Sequence, residues 1–213
     1  MVPTVDIAPA LFHQLVDVKR SMQQLQLSPS KTEEVITAYI LNQWWAEQGL
    51  PYSIAIATPP TGYDGLLKVN GQVPEGQTMA VEFKSAQKKG DGNCGFQFNP
   101  DPAKFVFTDH ACIACTEFEQ GWPVRIFVAL APFGERRCMQ ALQQVLLSDG
   151  NGRSSYNPDS RAQLNLWSRG KAATAVRQQP TLGLEDCQQW QTWSADDRMD
   201  ILDAATIARF MNI

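Results

Sequence analysis

The stretch from Tyr52 to Ser85 constrains this chain most. Three short runs with strand character, Tyr52 to Thr58, Tyr63 to Val69 and Thr78 to Ser85, follow one another with only turn-forming residues between them. Pro59-Pro60-Thr61-Gly62 divides the first pair; Asn70-Gly71, with Pro74 and Gly76 close behind, divides the second. Proline cannot donate to a sheet ladder, and glycine and asparagine tolerate the positive φ of a tight reversal, so these divisions end strands. Connections of this length join antiparallel neighbours, and a three-stranded meander is expected.

Ahead of the meander, Ser28-Pro29-Ser30-Lys31-Thr32-Glu33-Glu34 has the features of a helix start, with Pro29 in a first-turn position and Ser30 and Glu33 spaced as a capping box. Ile36, Tyr39, Ile40 and Trp44 then recur at helical spacing until Gly49-Leu50-Pro51, which predicts a helix over 30–48. After the meander, Lys88 to Pro102 reads as an exposed loop, Thr108 to Gln120 as a helix capped by Thr108, and Val124 to Leu130 as a buried strand. A strand, a crossover helix and a further strand imply parallel pairing. Farther on come a helical pattern over about 136–148, a Gly/Asn/Ser-rich loop from Asp149 to Pro158, a basic stretch to Gln179, and a last helix capped by Ser194. In that last helix Met199, Leu202, Thr206 and Phe210 share a face. The expected architecture is α/β, one domain over 1–213, with a core at about 30–130 and a mainly helical C-terminal extension at about 135–213.

Composition narrows the class. The chain has 213 residues, enough to bury a real core in one domain, and its 44% hydrophobic and 19% charged content is that of an ordinary globular protein. No stretch approaches the roughly 20 apolar residues of a membrane span, and the N-terminal segment lacks a basic start followed by an apolar run, so a cytoplasmic location is expected. Five cysteines, Cys94, Cys112, Cys115, Cys138 and Cys187, lack the spacing of a disulfide framework and fit reduced thiols. The net charge of −4 does not advertise a polyanion binder, but charge is local. From Arg136 to Pro180, Arg136, Arg137, Arg153, Arg161, Arg169, Lys171 and Arg177 face only Asp149 and Asp159, a local excess of five positive charges.

Glu82 and Lys84 lie two apart on an expected strand and so point to one face, while Asp64 on the preceding strand falls within reach of Glu82. Two carboxylates sharing a site repel unless a hard cation lies between them, and Mg2+ needs only one or two protein carboxylates beside waters and phosphate oxygens. Such an ion acidifies bound water, and an ammonium beside it can orient that water or hold a phosphate. The alternative for Glu82 and Lys84 is a solvated ion pair on an amphipathic strand.

Gly62-Tyr63-Asp64-Gly65 followed by Val81-Glu82-Phe83-Lys84 resembles the motif of the PD-(D/E)XK nuclease superfamily, with Tyr63 where proline is usual. The superfamily's core, a helix, a three-stranded meander, a crossover helix and a strand, has the same element order as that expected here over about 30–130. The resemblance implies a Mg2+-dependent endonuclease in which Asp64 and Glu82 bind the metal and Lys84 assists water attack. Many members add a glutamate from the first helix, a role open to Glu34 when Glu33 serves the capping box; a solvated first-turn carboxylate favoured by the helix dipole is the alternative. Gln87 matches a polar residue that often follows the lysine; it is equally an ordinary strand-end residue.

Among nucleases, a core with its own DNA-binding extension looks most like a type II restriction enzyme, acting on double-stranded DNA as a homodimer if the site is palindromic. A structure-specific repair or recombination nuclease, and a DNA-binding module without turnover, are the alternatives. Gln87, Lys88, Lys89, His110, Arg153, Tyr156, Arg161 and Arg169 are the candidate DNA contacts, from the basic stretch and from loops flanking the catalytic cluster. His110, Cys112, Cys115 and Cys94 offer the ligand types of a structural zinc site; buried cysteines on a packing face are the alternative.

Overall fold

The computed structural model describes residues 4–24, 30–58, 62–87, 96–98, 109–133, 162–164 and 198–211. Strands β1 (Thr4–Val5), β2 (Tyr52–Ala57), β3 (Gly65–Val69), β4 (Ala80–Gln87), β6 (His110–Glu119), β7 (Trp122–Leu130) and β9 (Arg198–Leu202) form one seven-stranded mixed sheet in the order β1-β2-β3-β4-β6-β7-β9. Helices α1 (Pro9–Gln24), α2 (Ser30–Glu47) and α3 (Ala204–Met211) accompany it. A separate antiparallel pair joins β5 (Phe96–Phe98) to β8 (Ala162–Leu164). The fold is α/β.

The meander forms as expected, β2 with β3 and β3 with β4, both antiparallel. Asn70 and Gly71 take positive φ (52° and 78°) and close a two-residue reversal in which Val69 and Gln72 exchange backbone hydrogen bonds of 2.7 and 3.1 Å. That is the backbone for which Asn-Gly is preferred, because its twist matches that of the strands.

Helix α2 spans 30–47, one residue short of the expected end. Gly49 at φ 67° ends it: its N–H bonds to Ala46 and that of Leu50 to Trp45, the paired bonds of a glycine-terminated helix. Ile36, Tyr39, Ile40, Leu41 and Trp45 are buried, since α2 lies between the sheet and the other helices. Helix α1 buries Phe12, Val16 and Lys19, three positions of one helical stripe, with Phe12 stacked 3.7 Å from the Tyr39 ring. Glu33, expected to close a capping box, instead turns to α1 and accepts a 3.0 Å hydrogen bond from Lys19. Burial pulls the Lys19 ammonium pKa down, against the hydrogen bond and charge of Glu33.

One expected helix is a strand. Residues 110–119, expected within a helix over Thr108 to Gln120, form β6, which runs parallel to β4. The parallel crossover therefore ends at β6, and the expected crossover helix does not occupy this segment. Its sequence misleads because every residue from His110 to Phe118 is buried: a strand covered on both faces loses the alternation that distinguishes it from a buried helix. Gln120 and Gly121, both at positive φ, then turn the chain into β7, which is antiparallel to β6 rather than the parallel strand expected at Val124 to Leu130.

The last helix is shorter than expected. Residues 198–202 are strand β9 on the free edge of β7, and α3 begins only at Ala204. Asp203 sets that boundary, because its Oδ1 accepts the N–H of Thr206 at 2.8 Å and a capping residue keeps extended backbone. The C-terminal residues thus complete the main sheet instead of belonging wholly to a helical extension. No helix among the described residues is long and apolar enough to cross a membrane.

Candidate active site

Strands β3 and β4 share only two register pairs, Gly65 with Val81 and Leu66 with Ala80. Past Val81 the strands part, and the chain ahead of β3 crosses the mouth of the resulting fork. Asp64 sits there, just before β3 rather than on it as the sequence suggested. Its backbone is tied on both sides: its carbonyl accepts the Ala57 N–H at 3.0 Å, and its N–H donates to Val81 at 3.2 Å. Its Oδ2 accepts the Phe83 N–H at 2.9 Å, standing in for a strand carbonyl that β3 no longer supplies. Gly65 permits this approach, because a Cβ there would lie 2.9 Å from the Ala55 carbonyl oxygen.

Around that fixed carboxylate gather side chains from three other elements. Glu82 and Lys84 project from one face of β4, and the Lys84 Nζ donates to Glu82 Oε1. The start of α2 supplies Lys31 and Glu34: the Lys31 Nζ donates to Glu34 Oε2 at 2.6 Å and lies 3.8 Å from Asp64 Oδ1. His110, at the head of β6, brings its Nε2 to 3.8 Å from Glu82 Oε2 and meets the edge of the Tyr63 ring at 6.5 Å. Asp64, Glu82, Lys84 and Glu34, separated by up to 50 positions in the chain, thus converge on one volume.

The electrostatics carry the mark of crowding. Burial raises the Glu82 carboxyl to about 7, with Asp64 and Glu34 pushing the same way and Lys84 opposing them. Burial also raises Glu34, helped by the Asp64 charge and opposed by Lys31 and Lys84. For Lys31, burial acts to lower the pKa, but the hydrogen bond and charge of Glu34, with Asp64 and Glu82, outweigh it and raise the group. Glu82 is thus a carboxyl able to exchange a proton near neutrality.

Three carboxylates are the hard oxygen donors that Mg2+ takes, and their mutual repulsion is what a divalent cation relieves. In the arrangement seen here ammonium groups fill that role, Lys31 against Glu34 and Asp64, and Lys84 against Glu82. Among the described residues no group of three or more His, Cys, Asp or Glu side chains is set to hold a metal. The chemistry of the donor set fits Mg2+, and its use as a metal site requires the ammonium groups to move aside.

No family model, curated protein or solved structure matches this chain.

Other expected positions fall elsewhere. Gln87 is exposed at the end of β4 and, three residues from Lys84, on the opposite face of the strand. His110 stands beside Glu82, inside the cluster, rather than at a helix start. Cys112 and Cys115 are buried on β6, where an odd spacing sends them to opposite faces, so they cannot share a zinc ion. Lys88, Lys89, Cys94, Arg153, Tyr156, Arg161 and Arg169 lie outside the described residues. Lys31 was not singled out from the sequence; its spacing of three from Glu34 on a helix is the signal that points to it.

Proposed function

We propose that the chain is a Mg2+-dependent endonuclease acting on double-stranded DNA, with a PD-(D/E)XK-like core formed by α2, the β2–β4 meander and β6. The observation that carries this reading is the convergence of Glu34, Asp64, Glu82 and Lys84 at the fork between β3 and β4. A helix, a meander and a parallel strand in that chain order support it.

Asp64 and Glu82 are the proposed ligands, with Glu34 completing the oxygen set. Bound Mg2+ supplies Lewis-acid stabilisation of charge on the phosphate and lowers the pKa of water. Asp64 is held for this by the Phe83 N–H and by its backbone bonds to β2 and β4, which fix its carboxylate without side-chain freedom to lose. Lys84, two residues from Glu82 and on the same face, orients the attacking water and stabilises charge as the P–O bond breaks. Glu82 must be ionised to serve as ligand, so ligand binding favours the pH range above its own pKa. The basic stretch with Arg153, Arg161 and Arg169 is the proposed phosphate-contacting segment, and a homodimer with two such sites cuts both strands in the restriction-enzyme form of this reading.

A DNA-binding protein without turnover is the second reading, favoured by the lysine pairs that already satisfy the carboxylates. Incubation of duplex, branched and single-stranded DNA with the protein in Mg2+ and in EDTA tests both. Discrete Mg2+-dependent fragments, absent with Glu82→Ala, support the nuclease. Retardation of DNA without any cleavage by the wild type supports the binding module.

A further inference from the structure

Lys31 is an unusual neighbour for a metal site. Its stem leaves α2 at an exposed position, 62% accessible, yet its ammonium turns inward to Glu34, 17% accessible, and to Asp64, 25% accessible. An ordinary exposed i,i+3 pair engages one partner and is worth little. This ammonium spans two carboxylates from different elements, one on α2 and one ahead of β3, which is the position a bridging cation takes.

From this geometry we propose that Lys31 is an internal placeholder: its ammonium neutralises Glu34 and Asp64 when the site holds no metal, and a divalent cation displaces it toward solvent on binding. This rests on the metal reading above. The Lys31 side chain is mostly exposed, so it has solvent to enter when displaced. The Lys84 hydrogen bond to Glu82 stays within β4, whereas Lys31 joins carboxylates of two elements. The device offsets the repulsion between Glu34 and Asp64, and a divalent cation must displace Lys31 to bind both.

Two measurements on the full chain test it, both with Ca2+ as the probe. Calorimetric titration should show Lys31→Gln binding Ca2+ roughly three- to tenfold more tightly than wild type, because the ion no longer competes with an ammonium. Lys31→Arg, which keeps the charge and the reach, should stay within about twofold of wild type. Amine labelling read by mass spectrometry should show Lys31 reacting several-fold faster at saturating Ca2+, with Lys68, which pairs with Asp6 away from the cluster, unchanged. Wild-type binding with equal affinity in Lys31→Gln, or no change in Lys31 labelling, overturns the placeholder and leaves the metal site standing. Absence of Ca2+ uptake by wild type and variant alike removes the metal reading and the placeholder together.

Discussion

The Asp64 carboxylate accepts the backbone N–H of Phe83 at 2.9 Å, so one acidic side chain continues the sheet's hydrogen bonding where β3 stops. One oxygen is structural and the other faces Lys31. Asp64→Asn retains an acceptor for Phe83 and should fold with little loss, whereas Asp64→Ala should lose about 1 kcal/mol of stability. Both should abolish Mg2+-dependent cleavage. Thermal unfolding beside a cleavage assay separates the two contributions; equal melting temperatures for the two variants would deny the carboxylate its structural part.

Glu82 carries the pH dependence. Its carboxyl is raised from 4.5 to about 7 by burial first, so between those values the folded chain holds a proton that the unfolded chain has released. Stability must therefore fall as pH rises through this window and level off above it. Glu82→Gln should remove that slope, unfolding at a higher temperature than wild type at pH 8 and at nearly the same temperature at pH 4. Denaturation curves across the window decide it, and parallel curves for the two proteins would show that Glu82 is not the titrating group.

Lys84 belongs to the chemical step in the proposed mechanism. Lys84→Ala should lower single-turnover cleavage about 100- to 1,000-fold while DNA binding in Ca2+ is retained. Lys84→Arg should rescue poorly, because a planar guanidinium with its far higher pKa neither fits the compact ammonium position nor exchanges a proton. Wild-type cleavage by the alanine variant at saturating enzyme and Mg2+ would make Lys84 a surface residue.

Gly65→Ala tests the fork from its backbone. The added methyl meets the Ala55 carbonyl oxygen at 2.9 Å and Ile54 Cγ2 at 3.1 Å, so β2 and β3 must separate. The cost should be about 1–3 kcal/mol. Because Asp64 directly precedes Gly65, cleavage should fall further than stability alone explains. Full activity at a temperature where the variant is folded would mean that Asp64 tolerates displacement.

The elements legible in the sequence are those whose ends carry their own chemistry. Gly49 closes α2 and Asn70-Gly71 closes the β3 reversal, and both boundaries are legible to within a residue or two. The spacing of Glu82 and Lys84 on a strand gave their common face, and the meander brought Asp64 to them. What was hidden depended on burial from both sides. In β6, Ala111 to Phe118 has no exposed residue to reveal its period. Helix α1 is obscured because its buried stripe includes Lys19, whose charge hides an interior position. Lys31 was missed because its partner Asp64 is far away in the chain, and only the folded arrangement brings an exposed lysine over a distant turn.

The adjacent acids Glu33 and Glu34 divide their loyalties, one to Lys19 of α1 and one to the cluster. With Lys19 only 1% exposed and its ammonium 4.4 Å from the Phe118 ring centre, the first helix is a plug seated by charge as well as by Phe12. A fragment trimmed to begin at α2 would take the Lys19 ammonium from Glu33 and the stacked Phe12 ring from Tyr39, uncovering the face of α2 that α1 buries. A piece that presents Glu34 on a covered α2 thus starts upstream of Pro9, where α1 begins.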